Sequence, residues 1–231
     1  TIDVLTLTAT PIPRTLQLSL SGIRGLSIIE TPPLERKPVQ SSIMERDPAS
    51  LASVLKQELD REGQIFWVYN RVRGLAQVRD FVKNLAPEAR VDMAHGQMNE
   101  RDLEESMHRF WRHESDILVC TSIIESGLDF PRANTIVVDQ AQLFGLGQLY
   151  QLKGRVGRSD RQAYACFILP NIEHCPENAR KRLKVLMDMD YLGAGYQVAM
   201  EDLRLRGAGN ILGESQSGHI SRIGLDMFLE M

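Results

Sequence analysis

Much of what usually makes a function legible is missing from these 231 residues. The three cysteines, Cys120, Cys166 and Cys175, form no C-x-x-C pair and are odd in number. That excludes a disulfide framework and a zinc spacing, and leaves two buried strand residues and one loop thiol in a reducing compartment. No apolar run approaches the ~18 residues of a membrane span, and no charged-apolar-small leader opens the chain. A net charge of −3 excludes a module that binds nucleic acid by bulk charge alone, while leaving room for a narrow basic groove. No G-x-x-x-x-G-K-[ST] occurs, so no P-loop cradles β- and γ-phosphates. No acidic D-E-x-x pair ends a strand to hold Mg²⁺, and no metal-ligand set is expected.

What is there suits a globular domain with a real core: 43% hydrophobic and 25% charged residues,. The chain opens on Thr1 in a strand-like run, Val4 to Ala9, and reads as a piece of something longer. Strand and helix signals then alternate. Ile65 to Tyr69 is a strand, and Leu75 to Leu85 a helix with Leu75, Val78, Val82 and Leu85 at helical spacing,. Val91 to Ala94 is the next strand, followed by Asn99 as N-cap of a helix carrying Leu103, Met107 and Phe110,. Strands Ile117 to Cys120, Thr135 to Val138 and Ala163 to Leu169 follow, the last two separated by a helix from Gly145 to Leu152. Such alternation implies right-handed crossovers and a mostly parallel sheet with helices on both faces. From Pro176 onward, two helices joined through Gly193-Ala194-Gly195 read as an αα-hairpin, with a Gly-rich tail after it,. The expected divisions are 1–45, a lead-in segment; 46–172, the α/β lobe; and 173–231, the hairpin and tail.

In open α/β sheets, ligands bind beyond the carboxyl ends of the strands. Asn70-Arg71, His95 and the stretch Thr121 to Pro131 all fall there. Thr121 to Pro131 is either an ordinary capped turn or a phosphate- and sugar-binding loop, and His95 either a structural histidine or a contact to a phosphodiester backbone. The most informative stretch is Gln151-Leu152-Lys153-Gly154-Arg155-Val156-Gly157-Arg158. Arg155 and Arg158 can converge from one helical face or tight turn on a polyanion, and phosphate oxygens match their guanidinium forks. The alternative is a solvated surface pair. Arginines aimed at phosphate without a P-loop are half of a site.

In order, these clusters resemble the second RecA-like lobe of superfamily-two helicases and translocases. Thr8-Ala9-Thr10-Pro11 is similar to motif III, Val68-Tyr69-Asn70-Arg71 to motif IV, Thr121 through Pro131 to motif V, and Gln151 through Arg158 to motif VI. Thr8 through Leu16, Phe144 through Leu149, and Asp202 through Asn210 with Gln216 through His219 narrow the resemblance. They match the pair formed by transcription-repair coupling factors (Mfd) and RecG branch-migration helicases, the last of them their shared TRG (translocation in RecG) motif. Leu26 through Pro33 and Ala133 through Val138 look more like the coupling factor. Lys153, Tyr150 and Gly147 stand where Arg, His and Ala are frequent, and none of the three replaces a proposed catalytic group.

The resemblance implies a RecA-like lobe followed by the TRG hairpin. It belongs to a DNA-dependent ATPase that translocates on double-stranded DNA, displaces stalled RNA polymerase and recruits nucleotide excision repair. It implies Arg155 and Arg158 as catalytic groups, with Gln151, Gly127 and Asp129 lining the nucleotide cleft. Asn70, Arg71, His95 and Thr121 would contact DNA, and Arg206 and Gln216 would couple closure to movement. ATP and Mg²⁺ would be held mainly by a first lobe that this chain lacks, so the chain alone is expected to be inactive. It would be a monomer in the bacterial cytoplasm, reaching excision-repair proteins through other domains. Two alternatives stay open: a RecG-like fork-regression lobe and a docking module without catalysis.

Overall fold

An unbroken apolar run such as Ile65-Phe66-Trp67-Val68 cannot lie on a sheet wetted on one face, because alternate side chains would meet water. It forms the middle of β2 (Gln64–Tyr69), and all of it is fully buried. The protein is seen in a computed structural model, which describes Ser27 and residues 37–121, 130–189, 191 and 193–206. β2 joins β1 (Gln40–Glu45), β3 (Val91–Ala94), β4 (Ile117–Cys120), β5 (Ala133–Asp139) and β6 (Tyr164–Leu169) in one 6-stranded parallel sheet, ordered β1-β6-β5-β2-β4-β3. The helices are α1 (Pro48–Leu59), α2 (Leu75–Leu85), α3 (Glu100–Trp111), α4 (Leu146–Lys153), α5 (Glu177–Asp188) and α6 (Gly195–Arg206). This is the expected RecA-like α/β architecture with a C-terminal helical pair.

Each sheet face has its own core. Leu51 and Leu55 of α1 and Leu75, Val78 and Val82 of α2 pack with Ile65, Trp67, Val119, Val137 and Ile168. On the other face Phe110 of α3 meets Phe66 and Phe130, with ring centroids 5.0 and 5.4 Å away. Burial of each such side chain contributes about 1.5–3 kcal/mol. Caps fix where the helices begin. The Asp47 side chain accepts from the Ser50 N–H at 2.8 Å, with Pro48 in the first turn of α1, and the Asn99 side chain accepts from the Asp102 N–H at 2.9 Å,.

Strand order positions the site. From β2 the chain builds β3 and β4 on one side, then crosses back to build β5 and β6 on the other. The direction reverses around β2, where the exits of β4 and β5 flank that of β2, and such a switch point opens a crevice at the carboxyl edge.

Two elements were not read from the sequence. β1 lies at the end of the segment taken as a lead-in, yet pairs with β6 from Gln40↔Tyr164 to Glu45↔Leu169. α1 forms where the sequence reading expects no separate element. The chain forms two compact units. One holds the sheet with α1, α2 and α3 (Pro33–Phe144 and Leu152–Pro176). The other gathers Gly145–Gln151 with residues from Glu177 onward, so the division falls inside α4. In that second unit α5 and α6 pair as the expected hairpin. A Cβ on Gly147 would stand 3.7 Å from the Asp202 Oδ2 atom, an ordinary contact that leaves room for alanine.

Candidate nucleic-acid interface and phosphate-directed turn

Asn70 and Arg71 follow β2, His95 follows β3 and Thr121 follows β4. Parallel neighbours stand about 4.8 Å apart, so these groups share one stretch of carboxyl edge. The structure thus brings together the residues read from the sequence as a backbone-contacting set. They are weakly engaged by the protein. The Asn70 side-chain amide reaches only the Leu143 carbonyl, at 3.5 Å. Among the described residues, the Nδ1 atom of His95 and the hydroxyl of Thr121 are buried without a hydrogen-bond partner. Arg71 and Arg73 are exposed. Buried polar atoms are nearly always paired, so orphans gathered at a ligand edge mark groups awaiting a partner.

The same edge holds two residues that the sequence reading missed. Asp139 ends β5 and is 1% exposed, and among the described residues neither carboxylate oxygen has a partner in hydrogen-bond geometry. Burial pushes its carboxyl above the ordinary 3.8, only partly offset by the Arg46 charge and by the Trp67 and Gln140 N–H groups nearby,. Arg46, just past the end of β1, brings a guanidinium nitrogen to 3.6 Å from Asp139 Oδ2 and lies over the Phe81 ring at 4.4 Å. One signal was available: a carboxylate closing the otherwise apolar run Ile136-Val137-Val138.

The arginine turn lies elsewhere in the sheet unit. α4 ends at Lys153, and Arg155 and Arg158 fall in the turn between it and β6, at the amino end of that strand. They do not share a helical face, because Gly157 takes φ +74°, a conformation that favours glycine,. A Cβ there would also come 2.9 Å from Val39 Cγ2 and 3.2 Å from Ala163 Cβ. Val156 is fully buried, Arg155 half-buried and Arg158 exposed. The residues after the pair tie the turn down. The Ser159 hydroxyl donates to Asn134 Oδ1 at 3.0 Å, Arg161 donates to the Arg61 carbonyl at 2.9 Å, and the Gln162 amide donates to the Pro38 carbonyl at 2.8 Å.

Beneath them runs a buried ion pair. Glu58, whose side chain is 0% exposed, is paired by Arg61 and accepts from the Thr135 hydroxyl. Gln151 is an exposed residue of α4, in the other unit. Gly127, Asp129, Gln216 and the motif III stretch from Thr8 lie outside the described residues, and Arg206 is the last residue of α6. Among the described residues no group of three or more His, Cys, Asp or Glu is placed to hold a metal, and no helix is long and apolar enough to cross a membrane.

Comparison with known proteins gives this geometry its setting. Residues 49–160 match the helicase conserved C-terminal domain. Over 230 residues, 100% of this chain, the sequence is 50% identical to the transcription-repair-coupling factors of Staphylococcus epidermidis and Staphylococcus aureus, and it spans 20% of their length. A structure of RecG bound to a three-way DNA junction superposes with TM-score 0.72 at 31% identity, covering 96% of this chain and 30% of that one. Yeast Dbp5 bound to RNA and ADP BeF3 shares the fold alone, with TM-score 0.58 at 14% identity over 86% of this chain and 54% of its own. Along its whole length the chain is thus similar to one segment of the transcription-repair-coupling factors, and it carries a helicase conserved C-terminal domain.

Proposed function

We propose that this chain is the second motor lobe of an ATP-driven double-stranded DNA translocase that displaces stalled RNA polymerase and couples transcription to nucleotide excision repair. The observation that carries the reading is the 50% identity to coupling factors along the whole chain. On this reading the sparsely bonded carboxyl edge, with Asn70, Arg71, His95 and Thr121, grips DNA phosphates. Arg155 and Arg158 face the phosphates of ATP held by a partner lobe, and Gln151, Gly127 and Asp129 line that cleft. Arg206 and Gln216 link closure to movement. The divisions 1–45, 46–172 and 173–231 are the working domains of the proposal.

ATP and Mg²⁺ would sit mainly on the P-loop lobe. Bound there, the metal would supply charge neutralisation for the transferred phosphoryl group. This chain offers no P-loop, so its part is to deliver guanidinium charge from a fixed turn. Fixed donors aimed at developing charge stabilise a transition state without reorganising. DNA, by contrast, must be held and released in every cycle, which suits a few phosphate contacts on a chain of net charge −3,. The setting that fits is the bacterial cytoplasm, with RNA polymerase and repair proteins reached through other domains.

The RecG match favours a second reading, a lobe of a fork-regressing helicase. A triplex-displacement assay tests the motor. This chain joined to a coupling-factor P-loop lobe is expected to strip a third strand from duplex DNA only with ATP. ATP-independent stripping, or none, contradicts the reading. Faster action on forked than on linear duplex would move the RecG-like reading to the front.

A further inference from the structure

Arg46 carries a guanidinium that the protein holds in place without hydrogen-bonding it. Its interactions within the described residues are the 3.6 Å approach to Asp139 and the stack on Phe81. Its side chain is 36% exposed. An arginine offers five N–H donors in a rigid fork, and here none makes a hydrogen bond to an acceptor among the described residues, the nearest being Asp139 at 3.6 Å. The anchor is costly to keep: Asp139 is buried at 1% exposure, the Trp67 and Gln140 N–H groups approach it without hydrogen-bond geometry, and the net effect of its surroundings still disfavours its charge,. Packing alone would be served better by an apolar residue at that strand end. Orienting Arg46 gives the carboxylate a use.

The position names the ligand. Arg46 lies past the end of β1, on the same carboxyl edge as Asn70 and Arg71 past β2. With β6 and β5 between them, the two strand ends are about 14 Å apart at about 4.8 Å per strand. That is close to the width of a duplex major groove, about 12 Å, so arginines at the two ends can meet phosphates on both strands of one duplex. We infer that Arg46 is a backbone-phosphate contact for double-stranded DNA, with Asp139 as the positioning residue that aims its fork. The inference rests on the translocase reading and extends the interface beyond the motif residues, toward the β1 side of the sheet.

The test measures affinity for duplex DNA against salt, using this chain joined to a P-loop lobe. Arg46→Ala is expected to bind roughly tenfold more weakly, the loss of a charged hydrogen bond, and to reduce the salt slope by about one. Lys56→Ala, which removes an exposed charge of α1 far from this edge, is expected to leave the slope unchanged. Asp139→Asn decides between aim and bulk charge: deleting a negative charge should strengthen DNA binding, whereas loss of the anchor weakens it. Thermal midpoints taken alongside show that each variant is folded. If Arg71→Ala lowers affinity while Arg46→Ala and Asp139→Asn do not, the inference is overturned and the translocase reading survives. If the parent protein fails to bind duplex DNA at all, the translocase reading falls, and this inference with it.

Discussion

The two edges of one sheet bond their polar groups to different extents. At the amino edge, Glu58, Arg61 and Thr135 form a buried cluster, Gln64 donates to the Phe110 and Ser115 carbonyls, and Arg90 grips Asp116 at 2.6 and 3.0 Å. At the carboxyl edge, His95 Nδ1, the Thr121 hydroxyl and both Asp139 oxygens make no hydrogen bond among the described residues, and Asp139 is met by the Arg46 charge at 3.6 Å. The amino edge also leaves Glu58 Oε1, Arg61 Nε and the Ser115 hydroxyl unbonded, but inside a bonded network. Backbone geometry does not force this contrast, since both edges are ends of the same strands. On the proposed reading it follows from two tasks. An arginine that must meet a phosphoryl group in one geometry needs a rigid mount, and the amino-edge network supplies it through Arg161 and Gln162,. A surface that tracks a polymer needs groups free to bind and let go.

Breaking the amino-edge network should give the largest effect on stability. Arg61→Ala strands the buried Glu58 carboxylate, and the loss of one partner from such a pair costs about 3–5 kcal/mol. Urea unfolding reads it directly, and a shift below about 1 kcal/mol would show that this edge is not bound together as described. Gly157→Ala comes next, at about 1–3 kcal/mol for a strained φ, raised further by the close approach of Val39. If it proves harmless, the turn is not held where the arginines need it.

Acid titration sharpens the comparison, because one carboxylate on each edge answers with opposite sign. Burial pulls the Asp116 carboxyl up, but hydrogen bonds and charge from Arg90 prevail and hold it below the ordinary 3.8. Its stabilisation is full above that value and is lost as pH falls through the lowered one. Asp139 lies above 3.8, so its ionised form costs stability, and the cost is relieved as pH falls through the raised value. At neutral pH, Asp116→Asn is therefore expected to lower the unfolding free energy and Asp139→Asn to raise it, with both differences shrinking in acid. Like signs for the two would remove the distinction. The smallest effect belongs to Thr121→Val. With no hydrogen bond to lose among the described residues, stability should stay within about 0.5 kcal/mol, while duplex affinity falls. A large loss of stability would place Thr121 in the fold rather than the interface.

How far the sequence reveals this molecule depends on where the governing forces act. β2 and β5 were legible because long apolar runs can only be interior strands, and α2 and α3 because their apolar residues repeat at helical spacing. β1 was not, since Gln40-Ser41-Ser42-Ile43-Met44-Glu45 carries little pattern and becomes a strand by pairing with a distant β6. α1 did announce itself, with Asp47-Pro48 as cap and first turn and Leu51 and Leu55 one turn apart. Asn70, His95 and Thr121 could be placed at strand ends without knowing strand order. The Arg46–Asp139 pair could not, because it exists only when β6 lies between β1 and β5. Nor does spacing disclose the division of labour between edges, which comes from Gly157 turning the chain after α4 and leaving the arginines at the amino end of β6.

On the proposed reading, Arg155 and Arg158 complete a nucleotide site begun on another lobe. The most direct test is ATP hydrolysis, with and without duplex DNA, by this chain alone and joined to a P-loop lobe, with the arginines intact or changed to Ala. The expected result is hydrolysis only by the joined, intact protein, stimulated by DNA, and a fall of about 10³-fold or more for Arg158→Ala. A joined protein that is silent, or whose rate ignores the arginine changes, would contradict the account and leave a docking module in its place.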